Sequence, residues 1–241
     1  MPAFSAEPGM PYWQDLLTPD VQKSTYFYSK LLGWETSGED YLVAKKEGLP
    51  VAGIVPGERP AWVTYFLGGA PVEKFGGKVV ASSEVSLGRM QVCQDPAGGL
   101  FGLIDPSGEE QFVAAGEPGV PVWYEYSAPD LAAIDFYGDL FDWEIKESDG
   151  YYLALAEGAP FLGMRVQEQH AGWQSFFGVA NISQARQEVG MLGGEVLAGP
   201  GDSPFGPMLA MRDSAGAASF LVEAPEPAPE DFSEADSVLD F

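Results

Sequence analysis

The landmarks of residues 11–98 recur in the same order in residues 121–216, and this internal repeat constrains the fold more than any other feature of the 241-residue chain. The first copy runs Pro11-Tyr12-Trp13-Gln14-Asp15, Thr18-Pro19-Asp20, Phe27-Tyr28 and Gly33-Trp34-Glu35. The second runs Pro121-Val122-Trp123-Tyr124-Glu125, Ala128-Pro129-Asp130, Phe136-Tyr137 and Asp142-Trp143-Glu144. Further on, Val51-Ala52-Gly53 returns as Phe161-Leu162-Gly163 and Trp62 as Trp173. The stretch from Gly88-Arg89-Met90 to Asp95-Pro96-Ala97-Gly98 returns as Gly206-Pro207-Met208 leading to Asp213-Ser214-Ala215-Gly216. The repeat divides the chain into an N-terminal domain, 1–117, and a C-terminal domain, 118–223, with the boundary near Glu117 to Gly119. Residues 224–241 form a tail. Seven acids and no Lys or Arg occur from Glu223 to Phe241, among several prolines, a composition expected to be disordered.

Each half reads as a strand, a helix and several more strands, twice over. Tyr12 to Leu17 is short and aromatic-rich. Asp20 is placed to cap a helix that carries Tyr26-Phe27-Tyr28 and Leu31-Leu32 at helical spacing and stops at Gly33. Short strands rich in Val, Tyr and Phe follow. A second round opens with a strand from Trp62 to Leu67 and a short helix, and continues with strands around Lys78 to Ala81, Met90 to Gln94 and Leu100 to Ile104. The two halves differ here. Twenty residues separate Trp173 from Gly193, enough for a helix over Ser183 to Leu192, but only fourteen separate Trp62 from Gly76. At about 3.6 residues per turn the N-terminal half has lost roughly two turns of its second helix, so its sheet is expected to be less well covered there, with an opening or a contact surface.

Four β-α-β-β-β modules, opening on an x-Pro-Asp helix start and a Phe-Tyr pair and closing each half on Asp-Pro-x-Gly or a variant, resemble the vicinal oxygen chelate superfamily. That superfamily includes glyoxalases, bleomycin-resistance proteins and extradiol dioxygenases. The likeness is strongest to fused, actinobacterial-type members described as hydroxylases or resistance proteins. It covers about Pro11 to Val222 and implies an α+β fold of tandem glyoxalase-like domains, whose mixed sheets curl into cups with the helices outside them. It also implies where metal ligands would stand: at Trp13, Gly53, Val63 and Gly102 in the N-terminal half, and at Trp123, Gly163, Gln174 and Phe220 in the C-terminal half. Only Gln174 among these carries a donor atom. No metal and no cofactor are therefore expected.

Composition narrows the reading further. The only histidine, His170, sits in a polar turn beside Glu168 and Gln169, so a two-histidine metal site is impossible within one chain. No Asp-x-Asp-x-Asp-Gly loop supports a calcium site, and no P-loop or G-x-G-x-x-G supports a nucleotide. The only cysteine, Cys93, lies in an apolar strand and reads as a structural thiol. The 36 acidic against 12 basic residues give a formal charge of −24, which repels nucleic acid and anionic membranes. That charge reads first as solubility, and second as attraction for a cationic small molecule. No signal peptide or apolar span is evident, and a cytoplasmic location is expected.

Strand alternation puts Trp13, Asp15 and Leu17 on one face, and Trp123, Glu125 and Ser127 on the matching face of the second half. Each cup is thus expected to hold an indole beside a carboxylate. One reading makes the tryptophans core plugs. The other makes Asp15, Glu125 and Tyr65 catalytic, because an acid in an apolar cup has its charged form disfavoured and its pKa raised. By the same counting Phe176 shares a face with Gln174, and Arg165 with Gly163. Trp13, Trp123, Gln174, Phe176, Arg165, Met90 and Met208 are the candidate ligand-binding residues. Three functions remain open. The first is metal-independent binding of a hydrophobic or aromatic, even cationic, small molecule, as in antibiotic sequestration or resistance. The second is a metal-free tailoring enzyme acting on a polyketide-like substrate in natural-product biosynthesis, and the third a non-catalytic interaction module. The partner expected is a small molecule, with the chain a monomer or a homodimer.

Overall fold

The structure is a computed structural model and describes residues 3–107, 112–168, 170–203 and 206–225. The acidic tail beyond residue 225 lies outside the described residues. The elements of the first half are β1 (Ala3–Ser5), β2 (Pro11–Thr18), α1 (Val21–Leu31), β3 (Glu35–Ser37), β4 (Leu42–Lys46), β5 (Leu49–Pro56) and β6 (Ala61–Leu67). A 3-10 turn (Val72–Phe75) and strands β7 (Lys78–Val85), β8 (Gly88–Gln94), β9 (Leu100–Pro106) and β10 (Phe112–Ala114) follow. The second half has β11 (Pro121–Ala128), α2 (Leu131–Phe141), β12 (Glu144–Ser148), β13 (Tyr151–Ala156), β14 (Ala159–Val166) and β15 (Gly172–Val179). It ends with α3 (Ile182–Met191), β16 (Glu195–Gly201), β17 (Met208–Arg212) and β18 (Ala218–Glu223).

Each half makes one eight-stranded sheet of the same topology, β3-β4-β5-β2-β6-β9-β8-β7 and β12-β13-β14-β11-β15-β18-β17-β16. Within a module the first strand pairs in parallel with the last, as β2 does with β5 and β15 with β18, which requires the intervening crossover. The first strands of paired modules run antiparallel at the sheet centre, β2 against β6 and β11 against β15. This is the tandem β-α-β-β-β fold that the repeat predicts. Helix starts follow the expected chemistry: Asp20 accepts from the Lys23 amide and Asp130 from the Ala133 amide, both at 3.0 Å.

The convex faces of the two sheets pack against each other, so the main cores are shared between the halves. One unites Phe27, Tyr28, Trp34 and Trp62 of the first half with Phe177, Ile182, Val189 and Leu221 of the second. The other unites Phe66, Cys93 and Phe101 with Tyr126, Ile134, Phe136, Tyr137 and Trp173. The helices lie outside the cups, as expected, yet on the faces where the halves meet.

Of the two outcomes expected where the second helix of the first half is shortened, an opening or a contact surface, the structure has the contact surface: α2 of the other half covers the place. The Phe136 ring stands 6.0 Å from that of Phe101 and close above Gly77, beside the 3-10 turn that replaces the helix. Glu223, the residue before the tail, ends β18, and its carboxylate accepts from the Ile182 amide at the start of α3.

Candidate functional site

The concave faces of the two sheets carry the side chains that alternation assigns to them. Trp13 packs with Val63, Tyr65, Met90 and Ile104 in the N-terminal cup, while Trp123 packs with Phe176 and Val222 in the C-terminal cup. Leu16 and Tyr126, on the opposite faces of β2 and β11, belong to the shared cores. A carboxylate stands beside the indole in each cup, both almost fully buried: Asp15 is 4% exposed and Glu125 3%.

The N-terminal cup is filled by its own side chains. The Trp13 indole N–H donates to Asp15 Oδ1 at 3.0 Å and lies 2.7 Å from the Tyr41 hydroxyl, which donates to the same carboxylate oxygen at 2.5 Å. Glycines make this possible. The Asp15 carboxylate and Tyr41 ring take the space a side chain at Gly53 would need, and the Tyr65 ring covers Gly102, its neighbour on β9. Burial raises the Asp15 pKa, with hydrogen bonds from Tyr41, Trp13 and Tyr65 opposing it in part. Burial, and then the nearby Asp15 carboxylate, push the Tyr41 and Tyr65 phenols far above their ordinary range. Met90 is sealed beneath this network at 2% exposure.

The C-terminal cup repeats the arrangement and stays open. The Tyr151 hydroxyl accepts from the Trp123 indole at 3.3 Å and donates to Glu125 Oε2 at 2.8 Å. Arg165, absent from the other cup where Val55 occupies its register position, donates through Nε to Glu125 Oε1 at 2.5 Å, and its Nη2 contacts the same oxygen. Where Gly102 lets Tyr65 lie across the first cup, the second has Phe220, which stacks on Phe176 with centroids 4.5 Å apart and planes 11° from parallel. Phe176 has no hydroxyl to draw it toward the carboxylate. A cavity of about 570 Å³ remains, with Trp123, Leu153, Pro160, Phe176 and Met208 as apolar walls. Glu125, Tyr151, Arg165, Asp202 and Ser203 supply its polar lining.

Trp123, Glu125, Arg165, Phe176 and Met208 therefore converge on the open cup, whereas Trp13, Asp15, Tyr65 and Met90 form the closed one. Gln174 stands beside Glu125 in register, and its amide donates to Ser127 at 2.9 Å, while Ser127 in turn donates to Gln167. Tyr41 and Tyr151, which complete both networks, escape strand-alternation counting. They follow turns at the edge of β4 and β13, and the signal for them is the repeat itself: each stands 28 residues after its tryptophan. His170 is exposed in its turn. Cys93 is buried in β8, its thiol pushed up to about 12 by burial and then by Glu73, which suits a packed rather than a reactive thiol.

The residues at the superfamily's ligand positions do not fit a divalent ion. The Tyr151 hydroxyl fills the space above Gly163, Asp15 and Tyr41 fill that above Gly53, and the Gln174 amide, whose nitrogen donates to Ser127, has one neutral oxygen as its sole metal-binding atom. Among the described residues no three His, Cys, Asp or Glu side chains converge. No helix among them is long and apolar enough to cross a membrane.

Two back-to-back sheets of paired β-α-β-β-β modules, each with a side-chain-lined cup, define the class: the chain has the fold of the vicinal oxygen chelate proteins and is similar in sequence to glyoxalase-like and anthracycline-biosynthesis proteins. No protein-family profile matches it. It is 29% identical over 252 residues to CFP32 of Mycobacterium tuberculosis, provisionally named a glyoxylase, covering 91% of this chain and 96% of that protein. It is 27% identical over 270 residues to the anthracycline biosynthesis protein DnrV of Streptomyces peucetius, covering 92% and 96%. Among solved structures, the Mn(II)-bound glyoxalase of Novosphingobium aromaticivorans superposes with a TM-score of 0.66 at 14% identity, over 94% of this chain and 89% of that one. The 2,3-dioxygenase LapB of Pseudomonas sp. KL28 superposes with a TM-score of 0.65 at 12% identity, over 94% and 96%. At these identities the structural likeness speaks for the fold.

Proposed function

We propose that this chain binds an apolar, aromatic small molecule in its C-terminal cup, without a metal ion. The observation that carries this reading is the asymmetry of the cups: the same tryptophan, tyrosine and carboxylate recur, but the C-terminal set borders a cavity of about 570 Å³, while in the N-terminal cup Asp15, Tyr41 and Tyr65 fill the space above Gly53 and Gly102. That volume suits a drug-sized molecule, and walls of Trp123, Phe176, Leu153 and Met208 around a small polar base suit a flat one. The anthracycline biosynthesis relatives favour a molecule of natural-product type.

Titration of the protein with a panel of planar aromatic compounds, followed by tryptophan fluorescence and calorimetry, tests this. Binding is expected, with Phe176→Ala weakening it about 5–10-fold through loss of one aromatic wall, and Tyr41→Phe in the closed cup leaving it unchanged. Absence of binding, or equal binding by Phe176→Ala, would overturn the proposal.

A second reading, a metal-free tailoring enzyme, is favoured by the Tyr151 phenol hydrogen-bonded to Glu125 at the cavity base and by the same relatives. Tyr151 is pushed far above the ordinary phenol range by burial, then by Glu125, so it serves as a proton-holding donor. Turnover lost in Glu125→Gln while ligand binding persists would select this reading.

A further inference from the structure

Resting on the reading that the C-terminal cup takes an aromatic molecule, we propose that this molecule presents a weakly acidic oxygen, a phenolic or enolic hydroxyl, to Arg165. The cup then discriminates against aromatic cations.

The argument starts from the charges at the cup base. Glu125 has both oxygens engaged, Oε1 by Arg165 and Oε2 by the Tyr151 hydroxyl, and its side chain is 4% exposed. Its charge is already met by Arg165, which makes it a poor partner for a second cation. Arg165 is the reverse case: its side chain is 38% exposed, it borders the cavity, and both its contacts with Glu125 use the Nε and Nη2 edge against a single oxygen. The Nη1 corner of the guanidinium lies outside that ion pair. Arginine's planar fork with five donors can hold one carboxylate and still direct N–H groups at a second oxygen. Asp202 is the other charged residue in the lining, and it is exposed, so solvent screens it.

The closed cup shows what Arg165 adds. There the same position is Val55, and the carboxylate is met by phenols and an indole alone, with no guanidinium facing a cavity. The whole-chain charge of −24 bears on the kind of acid. A permanently anionic ligand is repelled at long range, whereas a phenol or enol arrives neutral and gains its charge-assisted hydrogen bond only at the guanidinium.

Three planar aromatics of one shape, bearing a phenol, its methyl ether or a primary amine, are titrated against the full chain. The phenol is expected to bind about tenfold or more tighter than the ether, a ratio typical of a charge-assisted hydrogen bond. Its absorbance titration should shift to lower pH when bound, because a cation favours the phenolate. Because Arg165→Met alone would leave Glu125 buried without its counter-charge, the double variant Glu125→Gln with Arg165→Met is compared with Glu125→Gln alone. Loss of Arg165 in that background should erase both the phenol preference and the pH shift while the ether still binds. An amine that binds as well as the phenol, or a phenol preference that survives without Arg165, would overturn this inference and leave the proposed function standing. Failure of all three compounds to bind would overturn both.

Discussion

Asp15 and Glu125 occupy one repeat position in two electrostatic settings. Glu125 has a guanidinium against one oxygen, while Asp15 is surrounded by neutral donors, Trp13, Tyr41 and Tyr65, in a closed apolar cup. The folded-state pKa of Asp15 is raised above its unfolded value. The stability it contributes is therefore full below the unfolded carboxylate range and is lost as pH rises through the folded value. Asp15→Asn, which keeps an acceptor for the indole and the phenol but no titration, should be at least as stable as the parent at about pH 8 and lose that advantage at about pH 4. Thermal unfolding across that range checks the sign; a parent that gains on the variant as pH rises would contradict it. The carboxylates and tryptophans were legible from period-two counting. Tyr41 and Tyr151 were not, because Tyr41 precedes β4 and Tyr151 opens β13 directly after a turn, where the preceding residues give no alternation to count from.

At the level of elements, the shortened crossover of the second module is the informative case. Chain length showed that the helix around Val72–Phe75 had lost roughly two turns, and a poorly covered patch, either an opening or a contact surface, was the expected outcome. The structure fills the patch from the other half, with α2 bringing Phe136 and Tyr137 against Phe101 and Cys93. A local count cannot show this, since the covering residues lie in the second repeat. Phe136 therefore serves two sheets at once. Phe136→Ala should cost about 3–5 kcal/mol, as for other buried aromatic truncations, measured by denaturant unfolding. A cost near that of a surface substitution, about 0.5 kcal/mol, would show that α2 does not cover the site.

Across the whole molecule, the halves are fastened by reciprocal bonds between residues that the sequence marks only as repeated landmarks. The Tyr28 hydroxyl of the first half donates to Asp213 of the second at 3.1 Å. Tyr137 and Tyr126 of the second half donate to Asp95 of the first at 2.9 and 2.6 Å. The tryptophan after each helix does likewise: Trp34 donates to the Gly119 carbonyl and Trp143 to that of Gly9. With the main cores also shared, residues 1–117 and 118–223 expressed separately should each expose a large apolar face and fail to give a soluble, cooperatively unfolding monomer. Calorimetry and size-exclusion chromatography test this; two halves that each unfold cooperatively as monomers would refute it. Tandem repetition, the strand-helix-strand order and the inward alternation of Trp13-Asp15 and Trp123-Glu125 were all determined by sequence, because they depend on local periodicity and on similarity at a fixed offset. Tertiary structure alone decided that one cup closes while its twin stays open. That outcome depends on which side chain meets Gly102 or Phe220, and Val55 or Arg165, across strands far apart in the chain.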